Sequence, residues 1–184
     1  MRVLAISGSL RARSYNTALL RAAAAAAPED VEVELYEDLE SLPPYNEDRD
    51  TDDPPALVAD LRRQIAEADG LLISTPEYNG TVPGQLKHLV DWASRPYGRA
   101  ASLHGKPVAV IGASVTDYGA VWAQDHLRKA LGIAGARVVE AELPVARVAE
   151  RLDDGGEVAD PETVESLTEI VTALADHHRE LVAA

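Results

Sequence analysis

The chain contains no cysteine. Disulfides, thiolate nucleophiles and Cys-ligated metal centres are therefore excluded. Phenylalanine is also absent, and there are only two tryptophans and six tyrosines, so the core must be aliphatic. Basic residues are scarce: 17 Lys and Arg against 31 Asp and Glu leave a net charge of −14. That balance favours solubility and opposes nonspecific binding to nucleic acid or anionic membranes. A phosphate ligand would need a local positive site. No apolar run approaches the roughly 18–20 residues that span a bilayer. Val3–Ile6 is too short for a signal-peptide apolar region, and Ala22–Ala27 is helix-forming alanine. The location expected is cytoplasmic.

What remains is an ordinary globular composition, 46% hydrophobic and 26% charged over 184 residues. One domain spanning 1–184 is expected. Val3–Ser7 reads as a buried strand and Asn16–Ala27 as a helix. Val31–Tyr36 alternates apolar with acidic residues, as a half-buried strand does. Glu37–Pro55, rich in Pro and Asp, reads as an exposed loop. Leu57, Leu61, Ile65 and Ala68 mark a helix face, and Gly70–Thr75 is a buried strand. Leu86, Leu89, Val90 and Ala93 give another helix, followed by a strand at Pro107–Ala113 and a helix near Val121–Leu131. Ala136–Leu143 is the fifth strand and Asp153–Asp160 a surface excursion. Val164, Leu167, Val171, Leu174, His178 and Leu181 line a last helix, whose stripe is core packing or a dimer seam. Alternating strands and helices build a parallel sheet. The expected fold is α/β: three-layer and flavodoxin-like, with a five-stranded parallel sheet in order 2-1-3-4-5 and helices on both faces.

In such sheets ligands bind outside the carboxyl ends of the strands, where the order reverses. Three polar loops fall there: Gly8–Tyr15, Pro76–Pro83 and Ser114–Gly119. The first leaves a strand and opens a helix, so its backbone N–H groups and the helix dipole favour an anion. Ser9, Ser14, Asn16 and Thr17 add short polar groups, and Arg11 adds a guanidinium suited to phosphate. A plain βα turn needs only one such residue as N-cap. The second loop, Pro76-Glu77-Tyr78-Asn79-Gly80, places a carboxyl, a phenol and a carboxamide at the end of a buried strand. Turn chemistry accounts for its Pro, Asn and Gly, but not for Glu77 and Tyr78.

Other signatures are missing. The chain has no G-x-G-x-x-G and no G-x-S-x-G, and Gly98–Lys106 precedes a strand where a P-loop would follow one. Glu47, Asp48, Asp50, Asp52 and Asp53 lack the Gly and final Glu of an EF-hand, so a solvated acidic loop is expected. His88, His104, His126 and the adjacent His177-His178 show no metal spacing. No metal ligand is assigned.

The stretches ISGSLRARSYNTALL, LPPYNED, ADGLLISTPEYNGTVPGQLKHLVDWASRP and GKPVAVIGAS resemble the NAD(P)H-dependent FMN reductase family, the flavodoxin-like quinone, chromate and azo-dye reductases. They run in family order over roughly residues 1–150. The resemblance implies an FMN-dependent NAD(P)H oxidoreductase, with hydride passing to flavin N5 and then to a quinone, free flavin, azo compound or metal oxyanion. It places the FMN phosphate on Ser9, Arg11, Ser14, Tyr15, Asn16 and Thr17. It places the ring along Pro76, Glu77, Tyr78, Asn79 and Gly80, with Ser114 beside it. For Glu77 the alternative role is to orient its loop. No catalytic acid or base is assigned, because the cofactor carries the chemistry. The resemblance implies a homodimer or homotetramer, with Tyr45 and Asn46 expected at the border of a neighbouring subunit's pocket.

The third loop departs from the family pattern. Thr116 and Ala120 stand where glycines are usual, and Trp122 where Arg is frequent. Asp117 would oppose an anionic ring if it pointed inward. Two rival readings remain at this level: an FMN-binding electron carrier without nicotinamide activity, and a binding protein on a reductase scaffold.

Overall fold

The computed structural model describes residues 1–183. Five strands, β1 (Arg2–Ser7), β2 (Glu32–Tyr36), β3 (Gly70–Thr75), β4 (Pro107–Ala113) and β5 (Arg137–Val145), form one parallel sheet in order β2-β1-β3-β4-β5. Helices α1 (Tyr15–Ala25), α2 (Ala56–Glu67), α3 (Gly84–Ala93), α4 (Val121–Ile133) and α5 (Pro161–Ala183) connect or follow the strands. This is the expected order, and the fold is flavodoxin-like.

The period-2 alternation of the strands divides the core into two layers. Leu4, Ile6, Leu71, Ile73, Val108 and Val110 pack beneath α2, α3 and α4. Val3, Ala5, Leu72, Ala109 and Ile111 pack beneath α1 and α5. Every residue of β3 and β4 is buried, as inner strands covered on both faces must be. β2 lies at an edge and exposes Glu32 and Glu34. With no Phe available, the layers are aliphatic; the largest fully buried side chain is Trp92.

Glu37–Pro55 is exposed along most of its length, as its composition suggests, and Trp92 explains how it is nonetheless anchored. Leu39 and Leu42 are buried, and α3 holds the segment down through its side chains. Trp92 Nε1 donates to Pro43 O at 2.8 Å, and Gln85 Nε2 donates to Leu39 O and Leu42 O at 2.7 and 2.6 Å. Tyr45 stacks edge-on against Trp92, with centroids 4.8 Å apart. Asp50 is not solvated either: it lies 2.7 Å from Arg62, which also donates to Trp92 O. Pro and Asp mark the exposed parts of the segment correctly, and only Leu39, Leu42 and the Asp50 carboxylate turn inward. At the other end of the chain, α5 buries Leu167, Ile170, Val171 and Leu174, whereas Leu181 is exposed. The stripe therefore ends a turn earlier than its periodicity suggested.

The pairing of β4 with β5 is irregular. Val108 pairs with Val138 and Val110 with Glu142, so Ala109 faces three residues, Val139 to Ala141. Arg128 of α4 reaches into this bulge and donates to Val139 O at 2.9 Å, Val110 O at 3.2 Å and Ala141 O. Burial lowers its pKa, yet an arginine remains charged at any physiological pH. Arg128→Met keeps the apolar stem and orphans these carbonyls. It should cost about 2–4 kcal/mol in urea unfolding; a loss within about 0.5 kcal/mol would show that the bulge needs no such filling.

Candidate functional site

The loops that follow β1, β3 and β4 meet at the carboxyl edge of the sheet, as the topology requires. The chain leaving β1 stays against β3, because Gly8 N donates to Ser74 O at 2.8 Å. A Cβ on Gly8 would sit 2.7 Å from Leu86 Cδ2, so this close approach needs glycine. Ser14 caps α1 with its hydroxyl, which accepts from Thr17 N at 3.2 Å. Thr17 Oγ1 bonds Ser7 Oγ at 2.8 Å, and Ser9 Oγ accepts from Arg11 N at 3.4 Å. The first-turn N–H groups of Tyr15 and Asn16 find no acceptor among the described residues. The Arg11 guanidinium lies 5.6 Å from the centre of the Tyr15 ring.

Asn16 differs from the sequence reading. Its side chain is 3% exposed and is spent on the scaffold. Asn16 Oδ1 accepts from Ser74 Oγ at 2.8 Å and from Ala113 N at 3.1 Å, and Nδ2 donates to Ala113 O at 3.4 Å. What Asn16 can offer a phosphate is its backbone N–H.

After β3, Tyr78–Thr81 forms a tight hairpin, with both backbone bonds between Tyr78 and Thr81 at 3.2 Å. Asn79 (φ 54°) and Gly80 (φ 72°) are both left-handed, the geometry of a type I′ turn. Glu77 points the other way, and its Oε2 accepts from Ala123 N at 3.0 Å. That bond replaces the missing cap of α4, whose first residues carry no capping side chain. Glu77 thus orients its loop. Thr81 Oγ1 lies 2.9 Å from His126 Nδ1, a second tie to α4.

In the third loop Asp117 turns outward and pairs with Arg147, raising the arginine pKa. Ser114 Oγ bonds Thr116 Oγ1 at 2.8 Å. Ala120 adopts φ 61° and ψ 32°, a left-handed conformation that suits glycine better. A Cβ on Gly119 would lie 2.4 Å from Pro144 C, so this glycine cannot be replaced without moving β5.

Between the first two loops lies a cleft of about 570 Å³ lined by Gly8–Arg11, Tyr78, Asn79 and Thr81–Gln85. It unites Ser9 and Arg11 with Tyr78 and Asn79. Ser14, Tyr15 and Thr17 line an adjoining hollow of about 400 Å³ together with Arg11, Arg13 and Arg21. Pro76 is buried, and Glu77, Gly80 and Ser114 are not among the cleft-lining residues. Val82 to Gln85 were not anticipated as lining residues, although they follow directly on the turn. His126 was passed over because its partner, Thr81, lies 45 residues away. Among the described residues no group of three or more His, Asp or Glu could hold a metal ion, and no helix is long and apolar enough to cross a membrane.

A βα loop with unspent backbone N–H groups and a backbone-rich turn converge at the switch point of a doubly wound sheet, the place where such folds bind ligands. Residues 1–150 match the model of the NADPH-dependent FMN reductase family, and the chain belongs to that family. It is 40% identical to a 2-hydroxy-1,4-benzoquinone reductase of Burkholderia sp., covering 89% of this chain and 88% of that one. An NAD(P)H-dependent FMN reductase of Pseudomonas aeruginosa is 39% identical, with 95% and 93% covered. Among solved structures, FerB, a flavoenzyme NAD(P)H:(acceptor) oxidoreductase from Paracoccus denitrificans, superposes with a TM-score of 0.83 at 36% identity, over 97% of both chains. The protein is an oxidoreductase that uses FMN as cofactor and NAD(P)H as hydride donor.

Asn16→Ala tests the scaffold beneath the site. It removes three buried bonds and orphans the N–H of Ala113, so unfolding in urea should lose about 2–4 kcal/mol. A loss within about 0.5 kcal/mol would show that the junction is not needed.

Proposed function

We propose that FMN lies in the cleft with its phosphate on the first loop and its ring along the Tyr78–Gly80 turn, and that the acceptor is a quinone. One observation carries this reading: Ser9 and Arg11 share a single cleft with Tyr78 and Asn79. The donor set suits a phosphate dianion. It comprises the unspent N–H groups of Tyr15 and Asn16, the hydroxyls of Ser9 and Ser14, that of Thr17 once it turns from Ser7 Oγ, and the guanidinium of Arg11. At the other end Gly80 has open space where a Cβ would stand, so the backbone there can approach a flat ring closely.

Bound FMN supplies two-electron transfer between the nicotinamide and the acceptor. The residues bind and orient. Arg11 and the α1 N-terminus fix the anionic end, the hairpin presents backbone groups to the ring, and Glu77 holds that hairpin against α4. No side chain needs to act as acid or base. The net reaction consumes NAD(P)H, one proton and a quinone, and releases NAD(P)⁺ and a quinol. Quinone is favoured as acceptor by the name of the Burkholderia relative. Both core layers share one sheet from β1 to α5, which supports a single domain over 1–184. A homodimer or homotetramer in the cytoplasm, where NAD(P)H is available, completes the proposal.

Anaerobic titration of the FMN-loaded protein with NADH and with NADPH should bleach the oxidised flavin absorbance. An unchanged spectrum with both nucleotides, alongside ready one-electron reduction, would replace the reductase with an electron carrier. Arg11→Ala should weaken FMN binding about 10-fold or more, through loss of a charge-assisted bond, with little change in flavin reduction at saturating FMN. Unchanged FMN affinity, measured by fluorescence titration, would remove Arg11 from the phosphate site.

A further inference from the structure

Two large aromatic side chains around the start of α4 stay exposed and, although they do not line the cleft itself, adjoin the helix tied to its Tyr78–Thr81 turn. Tyr118 is 57% exposed and Trp122 46% exposed, in a chain with only two Trp and six Tyr. Their rings pack with centroids 4.8 Å apart at an interplanar angle of 43°. The backbone beneath them is clamped from the β5 side: Arg147 N donates to Thr116 O at 2.9 Å, and Gly119 is pressed against Pro144. On the cleft side, Glu77 holds the first turn of α4 through Ala123 N, and His126, one turn beyond Trp122, meets Thr81. Thr81 and Tyr78 line the cleft, and Tyr78 is itself 53% exposed. The aromatic pair therefore stands beside the cleft rim on a fixed support.

We propose that Tyr118 and Trp122 form the wall against which the acceptor stacks, and that they select flat, uncharged aromatic acceptors over anionic ones. The inference rests on the reading that FMN occupies the adjoining cleft. Aromatic faces favour a planar ring in offset or tilted contact. The charges around the pair are unfavourable for an anion. Glu77 and Asp125 flank Trp122 in the fold and the sequence, and the nearby Arg147 is already paired with Asp117. An oxyanion or sulfonated dye would meet these carboxylates while Arg147 is already paired, whereas a neutral quinone has no such penalty. In the step served by this wall, two electrons and two protons convert the quinone to the quinol. The electrons and one proton derive from NAD(P)H, and the second proton comes from solvent.

The test uses FMN-loaded protein reduced chemically with dithionite, so it does not depend on reduction by nicotinamide. Stopped-flow reoxidation would be followed with a neutral naphthoquinone, its sulfonated analogue and ferricyanide, for wild type, Trp122→Ala and Trp122→Arg. Trp122→Ala should slow the neutral naphthoquinone about five-fold and leave ferricyanide within about two-fold, since a compact ion gains nothing from stacking. Trp122→Arg should shift the preference about ten-fold toward the sulfonated quinone. Equal changes for all three acceptors, or an unaltered preference in both variants, would overturn the proposal. So would loss of FMN or of subunit association in Trp122→Ala with quinone selectivity intact, because the wall would then belong to the flavin or to a second subunit. Failure of NADH and NADPH to reduce wild-type protein would count against the proposed function alone, leaving these rate ratios readable.

Discussion

The buried carboxamide of Asn16 joins elements that the chain reaches at positions 16, 74 and 113, and the crevice depends on that junction. Backbone ladders fix the strands relative to one another but leave the height of each helix free. Asn16 removes that freedom for α1, because both of its polar atoms are spent on β3 and β4. The first-turn N–H groups of α1 are thereby held at a set distance from the ends of the two central strands. Anion binding at a helix terminus is short-ranged, so a small displacement of the helix would cost much of its effect.

Most of the fold was legible because its signals are local. The apolar runs at Gly70–Thr75 and Pro107–Ala113 are strands with the same limits in the structure, since inner strands of a parallel sheet carry no polar interruptions. The site was legible at the level of loops. Gly-Ser-Leu-Arg and Glu-Tyr-Asn-Gly name the right segments, and the cleft does bring Ser9, Arg11, Tyr78 and Asn79 together. Individual side-chain roles were harder to read. Asn16 looks like a ligand donor in sequence because nothing local reveals that its partners are Ser74 and Ala113. Glu77 has the same difficulty: its acceptor role is explained only by an uncapped helix 46 residues further on. In the largely exposed Glu37–Pro55 segment the two buried residues, Leu39 and Leu42, were hidden for a related reason, since the strap that holds them comes from Gln85 and Trp92.

A division of labour follows. The carboxamide of Asn16 and the carboxylate of Glu77 hold the scaffold, and what stays open toward the cleft is mostly backbone groups, hydroxyls and the exposed guanidinium of Arg11. Backbone donors cannot be mutated away directly, so substitutions act on them only through the scaffold that positions them. The third loop carries more individuality. Its Asp117 is neutralised by Arg147 and its Gly119 is locked under Pro144, which leaves the exposed aromatic residues free to vary the partner without disturbing the cofactor.

The irregularity in β5 has an effect far from the crevice. An open parallel sheet ends in two strands with unused donors and acceptors, and a regular edge invites another chain to extend it. Here the β5 margin is broken by two surplus residues and by Pro144, which lacks an N–H. The β2 margin alternates with glutamates that point to solvent. One border is thus irregular, and the other, though regular in register, is lined by like charges that oppose an added strand. Despite its aliphatic strands, the polypeptide is therefore protected against fibril formation at both ends of its sheet.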